Sequence, residues 1–311
     1  RAAPWPKPHA AFIVQYVVCR ELKSSRHDRP GRTMRRHLVL LSLPLLLLGP
    51  ADALIPSTPG EQTRRAVASI RETISRRAAD AADGGDASRP PRLYVDYLIP
   101  LPRETKAEDI DPWPGGLAQQ YPYAEEIVRE ILAGVVDGST GDDCTTQIVS
   151  ETDCCGLYIQ QSPVSARDDV ACLVFASPDQ FDDLKRIEAM VGPRPLILFN
   201  RQFQRAEDFG FFGKGEASRV LSRYEWGYAF QELACRGEDV KLTFERDVGW
   251  EACVVDEKGN EIALSDAGWD PRERPRYEDL ERKINEVLPE PLWLRMIGEA
   301  QEKGLKFQRE E

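Results

Sequence analysis

The sequence predicts an α/β fold, a three-layer, parallel-strand core (βαβ) extended by a C-terminal antiparallel meander and two helices. Three features predict it. Residues 171–199 read as strand, helix and strand, and a unit that short forces its two strands to lie parallel with the helix across one face. Both strands, Ala171 to Phe175 and Leu196 to Phe199, are apolar at successive positions, as expected where both faces of a sheet are covered. Downstream, short strand-like runs follow one another closely before two amphipathic stretches close the chain.

Residues 1–33 precede Met34 and show no hydrophobic period; they read as upstream sequence. From Met34 the order becomes that of a signal peptide: basic Arg35-Arg36-His37, an apolar run from Leu38 to Leu48, and small Ala51-Asp52-Ala53. The apolar run spans about 16 Å as a helix, roughly half a bilayer core, too short for a membrane anchor. Residues 34–53 are therefore expected to be removed. Residues 54–92, rich in Arg, Ala, Ser and Thr with Val67, Ile70 and Ile74 at helical spacing, read as a transit-like or linker segment. A signal peptide followed by such a segment resembles the two-part plastid address of algae with complex plastids; secretion is the alternative.

The domain itself is expected over 93–311. Leu93 to Ile99 alternates as a strand ended by Pro100 and Pro102. Beyond a polar loop through Trp113-Pro114-Gly115-Gly116, the residues Tyr121, Ala124, Val128, Ile131, Leu132 and Val135 form the stripe of an amphipathic helix ending near Gly138. Thr145 to Val149 and Leu157 to Ile159 read as short strands. Within the βαβ unit, Ser177-Pro178-Asp179 starts a helix with Pro at its beginning, and Gly192-Pro193 stops it. The meander comprises Tyr228 to Cys235, Val240 to Arg246, Trp250 to Asp256 and Ile262 to Leu264, with a turn at Lys258-Gly259-Asn260. Helices on Tyr277-Leu280-Ile284-Val287 and from Pro291 through Ile297 end the chain.

Charge and composition narrow the chemistry. Residues 1–92 hold 16 of the 41 Lys and Arg and 8 of the 52 Asp and Glu, so residues 93–311 carry 25 basic against 44 acidic residues, a net of −19. Such a domain repels nucleic acid and anionic surfaces as a whole, although a local cluster of positive charge can still take an anion. The three histidines, His9, His27 and His37, all precede residue 54. A chain without them cannot build a Ser-His-Asp or Cys-His nucleophile or a histidine-containing zinc site. No metal site and no cofactor is expected.

Candidate ligand residues follow from the rule that open α/β sheets bind at the carboxyl ends of their parallel strands. They are Ser177 after one strand and Asn200, Arg201 and Gln202 after the other, joined by Arg205. Arg201, Arg205, Lys214, Arg219 and Arg223 form a run facing only Glu207, Asp208 and Glu216, a pattern suited to a phosphate or carboxylate. The competing reading has Asn200 closing a turn and the arginines pairing with surface acids. The Gly210-Phe211-Phe212-Gly213-Lys214-Gly215 stretch lacks a P-loop's first Gly and its Ser or Thr, since Asp208 and Gly215 hold those places; it reads as a flexible contact loop. Cys154-Cys155, with Cys144 near, is the redox candidate, whereas Cys172 and Cys253 read as buried hydrophobes.

The order of motifs resembles a known family. Ile99-Pro100-Leu101-Pro102, the loop Trp113 to Gln119, Ser177-Pro178, Leu196 to Asn200, Tyr224-Glu225 with Tyr228, and Trp250 are similar to the plastid and cyanobacterial domain of unknown function found in low-photosystem-II-accumulation proteins. The same domain occurs beside an adenylate kinase domain in a chloroplast protein. The resemblance, over about Leu93 to Phe307, implies a non-enzymatic plastid accessory factor in photosystem biogenesis, in the stroma or at the thylakoid periphery, with a protein partner, no nucleic acid and no membrane span. The alternative is a small-molecule-binding enzyme or sensor using the strand-end residues.

Overall fold

The computed structural model describes residues 54–82, 90–102, 113–256, 259–264 and 268–302. The expected upstream sequence and signal peptide lie outside the described residues. The fold is mixed α/β, and its centre is a nine-stranded mixed sheet in the order β2-β3-β4-β5-β1-β6-β7-β8-β9. In chain order the elements are α1 (Pro59–Ala82), β1 (Arg92–Asp96), α2 (Gly116–Val135), β2 (Cys144–Ser150), β3 (Cys155–Gln160), β4 (Val170–Val174), α3 (Phe181–Val191) and β5 (Leu196–Phe199). Then come α4 (Gly210–Leu221), β6 (Glu225–Cys235), β7 (Glu238–Glu245), β8 (Gly249–Val255), β9 (Glu261–Ala263), α5 (Tyr277–Val287) and α6 (Leu292–Glu302).

Strands β4, β5, β1 and β6 run parallel, and the βαβ unit β4-α3-β5 forms as expected. Val95 pairs with Phe199 on one side and Tyr228 on the other. Antiparallel strands flank this centre on both sides, β3 and β2 at one edge and β7 to β9 at the other. The first half of β6, expected to belong wholly to the meander, pairs parallel with β1 from Glu225 to Ala229.

Period-two alternation sends neighbouring residues into different cores. Val95, Cys172, Val174, Ile197 and Phe199 join α1 and α2 through Ala66, Ile70, Val128 and Leu132. Leu173, Leu196 and Leu198 join α3 and α4 through Leu184, Ile187, Val191 and Val220. A third cluster packs α5, through Leu280 and Ile284, on Trp226, Leu242, Phe244 and Val254.

The domain boundary expected at Leu93 is corrected. Residues 59–82, read as part of a transit-like or linker segment, form α1, with Ala66, Ile70 and Thr73 fully buried. The local signal is a helix start. Thr58 Oγ1 accepts from the Glu61 amide at 3.1 Å, and the Glu61 carboxylate accepts from the Ser57 amide and hydroxyl, with Pro59 in the first turn. Ser69 ties the helix to the sheet by donating to the Gly227 carbonyl and accepting from the Arg246 amide. Gly134 of α2 lets α1 approach closely, because a Cβ there would lie 2.8 Å from Val67. From Pro56 onward the chain holds 32 Lys and Arg against 49 Asp and Glu, a net of −17.

The glycine-rich loop is a second correction. Gly210 to Gly215 begins α4, with Phe211 and Phe212 91% and 98% exposed. A preceding turn is fixed by the Asp208 carboxylate, which accepts from the amides of Gln204 and Arg205, and by Phe209 packed edge-on against Phe181 and Phe203. Ala217 and Val220 then bury the helix's inner face. Packing therefore overrides the glycines' low helix propensity.

Candidate functional site

Both strand-end loops leave the sheet through a residue in the left-handed region, Phe175 (φ 54°) after β4 and Asn200 (φ 47°) after β5. The Gln202 amide donates to the Ala176 carbonyl at 2.8 Å, so the two loops lie together at the carboxyl edge, as the sequence suggests. Most of the expected ligand groups there hold the backbone instead. Ser177 caps the turn before α3: its hydroxyl accepts from the Asp179 amide, and its own amide donates to Gln180 Oε1 at 2.9 Å. Asn200 splices β5 to β1, its Oδ1 accepting from the Tyr97 amide at 2.6 Å and its Nδ2 donating to the Tyr97 carbonyl at 2.8 Å. Gln202 donates to the Asn200 carbonyl. Arg205 is exposed on the adjoining turn.

Arg201 turns inward. It is 6% exposed, its Nη1 donates to Asp96 Oδ1 at 3.0 Å, and its guanidinium lies 3.9 Å from the ring centre of Tyr94 and 4.8 Å from that of Trp226. The planar, weakly hydrated guanidinium suits this place, since it stacks on rings while pairing with a carboxylate at its edge. Gln231 of β6 donates to the second Asp96 oxygen. Arg274 faces the same pair. Burial lowers its pKa below the ordinary arginine value, with Asp96 opposing the shift and Arg201 adding to it. Burial pushes the Tyr94 hydroxyl up to about 12. Among the described residues Arg201 Nε, Gln231 Oε1 and Arg274 Nε have no hydrogen-bond partner.

The expected positive run does not assemble. Arg201 pairs with Asp96, Lys214 with Glu207 and Arg223 with Glu188, each in a different direction. The residues that sequence reasoning missed are Asp96, Tyr94, Trp226, Gln231 and Arg274. A charged Asp96 closing an otherwise apolar Leu93-Tyr94-Val95 strand was the available signal.

Cys154 and Cys155 sit on opposite sides of the sheet, Cys154 (φ 53°) against the α1–α2 cluster and Cys155 in the α3–α4 cluster. Burial, with Asp153 adding, pushes the Cys155 thiol up to about 12, far from the thiolate a reactive cysteine needs. Cys144 is buried as well. Among the described residues no group of three His, Cys, Asp or Glu side chains is placed to hold a metal ion, and no helix is long and apolar enough to cross a membrane.

The model of one protein family, described as a domain of unknown function (DUF1995), matches residues 56–282. No curated protein matches the sequence.

Proposed function

The chain belongs to the family of the domain of unknown function DUF1995, and from that premise we propose that it is a non-enzymatic accessory factor acting through protein contacts. Its place is the plastid, in the stroma or at the thylakoid periphery, in the biogenesis of photosynthetic complexes. The observation that carries this reading is the carboxyl edge of the parallel strands. In α/β enzymes that edge holds the reacting groups. Here Asn200, Ser177 and Arg201 are committed to Tyr97, the α3 turn and Asp96, which leaves the mixed sheet and its helices as a scaffold for surfaces. One such surface is the Phe211–Phe212 pair, whose rings meet edge-on at 5.5 Å while almost fully exposed. An exposed apolar patch of this kind marks a contact surface, and aromatic residues are frequent anchors of protein interfaces.

The test is affinity purification of the tagged full chain from its own cells, beside a Phe211→Ser/Phe212→Ser variant. The expected result is enrichment of photosynthetic-complex subunits with the wild type, lost in the variant at an unchanged melting temperature. Recovery of no such subunit by the wild type would sink the proposal.

A further inference from the structure

At the opposite, amino end of the parallel strands lies a cleft of about 1020 Å³, of the size that takes cofactor-sized molecules. Its floor is apolar, with Val135, Val136 and Val170 buried. Its walls carry five arginines, Arg71, Arg77, Arg92, Arg167 and Arg223, against the carboxylates Asp137 and Asp168. That balance opposes a chain whose net charge is −17 from Pro56 onward.

The pairing behind these walls is more telling. Glu188 is shared by Arg92, at 3.8 Å, and Arg223. Glu225 is shared by Arg77 and Arg246, the latter at 3.0 Å. Four guanidinium groups thus rest on two carboxylates, both nearly buried. Where acids outnumber bases so heavily, single pairing would be easy to achieve, and the shared pairing leaves positive charge uncompensated beside the cleft. Arg71 is spent on Asp137, 2.5 Å away, and exposed Arg167 stands beside exposed Asp168, so the excess is that of the shared pairs.

Part of this charge serves the fold. Arg92 donates to the carbonyls of Pro91, Arg194 and Gly192, and Arg194 to those of Met190 and Val191, capping the end of α3. A helix end carries about half a negative charge, so the α2 end offsets only a fraction of the remaining excess. Arg92 is 4% exposed, and its Nε has no hydrogen-bond partner.

We propose that this cleft binds an organic anion, its phosphate or carboxylate head on the arginines and its apolar body on the valine floor. Guanidinium groups grip both heads through paired N–H donors, and the apolar floor favours a ligand larger than a bare ion. The site is independent of the protein contacts proposed above and of Phe211 and Phe212.

Octyl phosphate, octanoate and pyrophosphate, titrated into the folded chain by calorimetry, test it. The first two distinguish the head groups, and pyrophosphate lacks the apolar body. The expected result is binding of octyl phosphate or octanoate at least tenfold tighter than pyrophosphate. Arg167→Gln, at an exposed residue, is expected to weaken it at least fivefold without changing the ligand-free melting temperature; Arg223→Gln is expected to weaken it as much, with some loss of stability because Glu188 gives up one of its two arginines. No binding of either octyl probe overturns the proposal, and so does binding that survives both substitutions.

Discussion

Arg201 and Asp96 form a buried pair, 3.0 Å apart, that joins the chain beyond β5 to the last residue of β1 across the centre of the sheet. Tyr94 and Trp226 lie on the guanidinium and Gln231 on the carboxylate, and among the described residues Arg201 is the one ion-pair partner of Asp96, with Arg274 acting on it from farther off. Arg201→Met would leave Asp96 without its ion pair, and the expected loss is about 3–5 kcal/mol of unfolding free energy. Asp96→Leu combined with Arg201→Met should recover much of that loss, giving a clear coupling in a double-mutant cycle followed by urea denaturation. A ligand-holding arginine would behave in the opposite way, with stability unchanged or raised by its removal. A loss below about 1 kcal/mol would rule out the structural role.

What the sequence made legible was whatever depends on local period. The apolar runs at 171–175 and 196–199 and the helix start at Ser177-Pro178 all reappear in place. The direction in which a single side chain turns was not legible. Arg201 and Arg205 stand four residues apart with the same chemistry, yet one is sealed under two rings and the other faces solvent. That difference is set by Asp96, Tyr94 and Trp226, which lie more than twenty positions away and reach Arg201 only through the parallel pairing of β1 with β5 and β6. For α1 the reason is different: its Arg and Ala content resembles that of a targeting segment, and its start is marked only by the short Thr58-Pro59-Gly60-Glu61 signal. Its arginines reach outward to Glu245, Asp247 and Glu225 and so tie the helix to the sheet side of the fold.

Placing α1 in the domain has a measurable consequence. Ile70 is fully buried among Ala66, Val128 and Leu132, and Ile70→Ala is expected to cost about 2–5 kcal/mol. A chain begun at Pro90 would expose the face of α2 and the strand residues that α1 covers, and should be recovered as aggregate or as a species that binds a hydrophobic dye. If residues 54–89 were a dispensable leader, the shortened chain would unfold with the same midpoint and the same denaturant slope as the longer one.

The β6–β7 pair carries a pH dependence that one substitution isolates. Glu232 and Lys241 stand opposite each other in the antiparallel register, both buried, with Asp239 3.2 Å from the same ammonium. Burial pushes the Glu232 carboxyl from 4.5 up to about 7, the nearby Lys241 only partly opposing it. Between these two values the folded chain holds a proton that the unfolded chain has released. The unfolded state therefore binds fewer protons, and the Glu232 contribution to stability falls as pH rises. It is fully present below about pH 4.5 and lost once pH passes about 7, a change of about 3 kcal/mol. Glu232→Gln keeps the shape and removes the titration, so the wild-type stability minus that of the variant should decline across this window and level off above it. Denaturant unfolding at half-unit pH steps measures that difference. A flat difference curve, or one that rises with pH, would mean that Lys241 keeps the carboxylate ionised throughout, making the pair an ion pair at every pH at which the domain is folded.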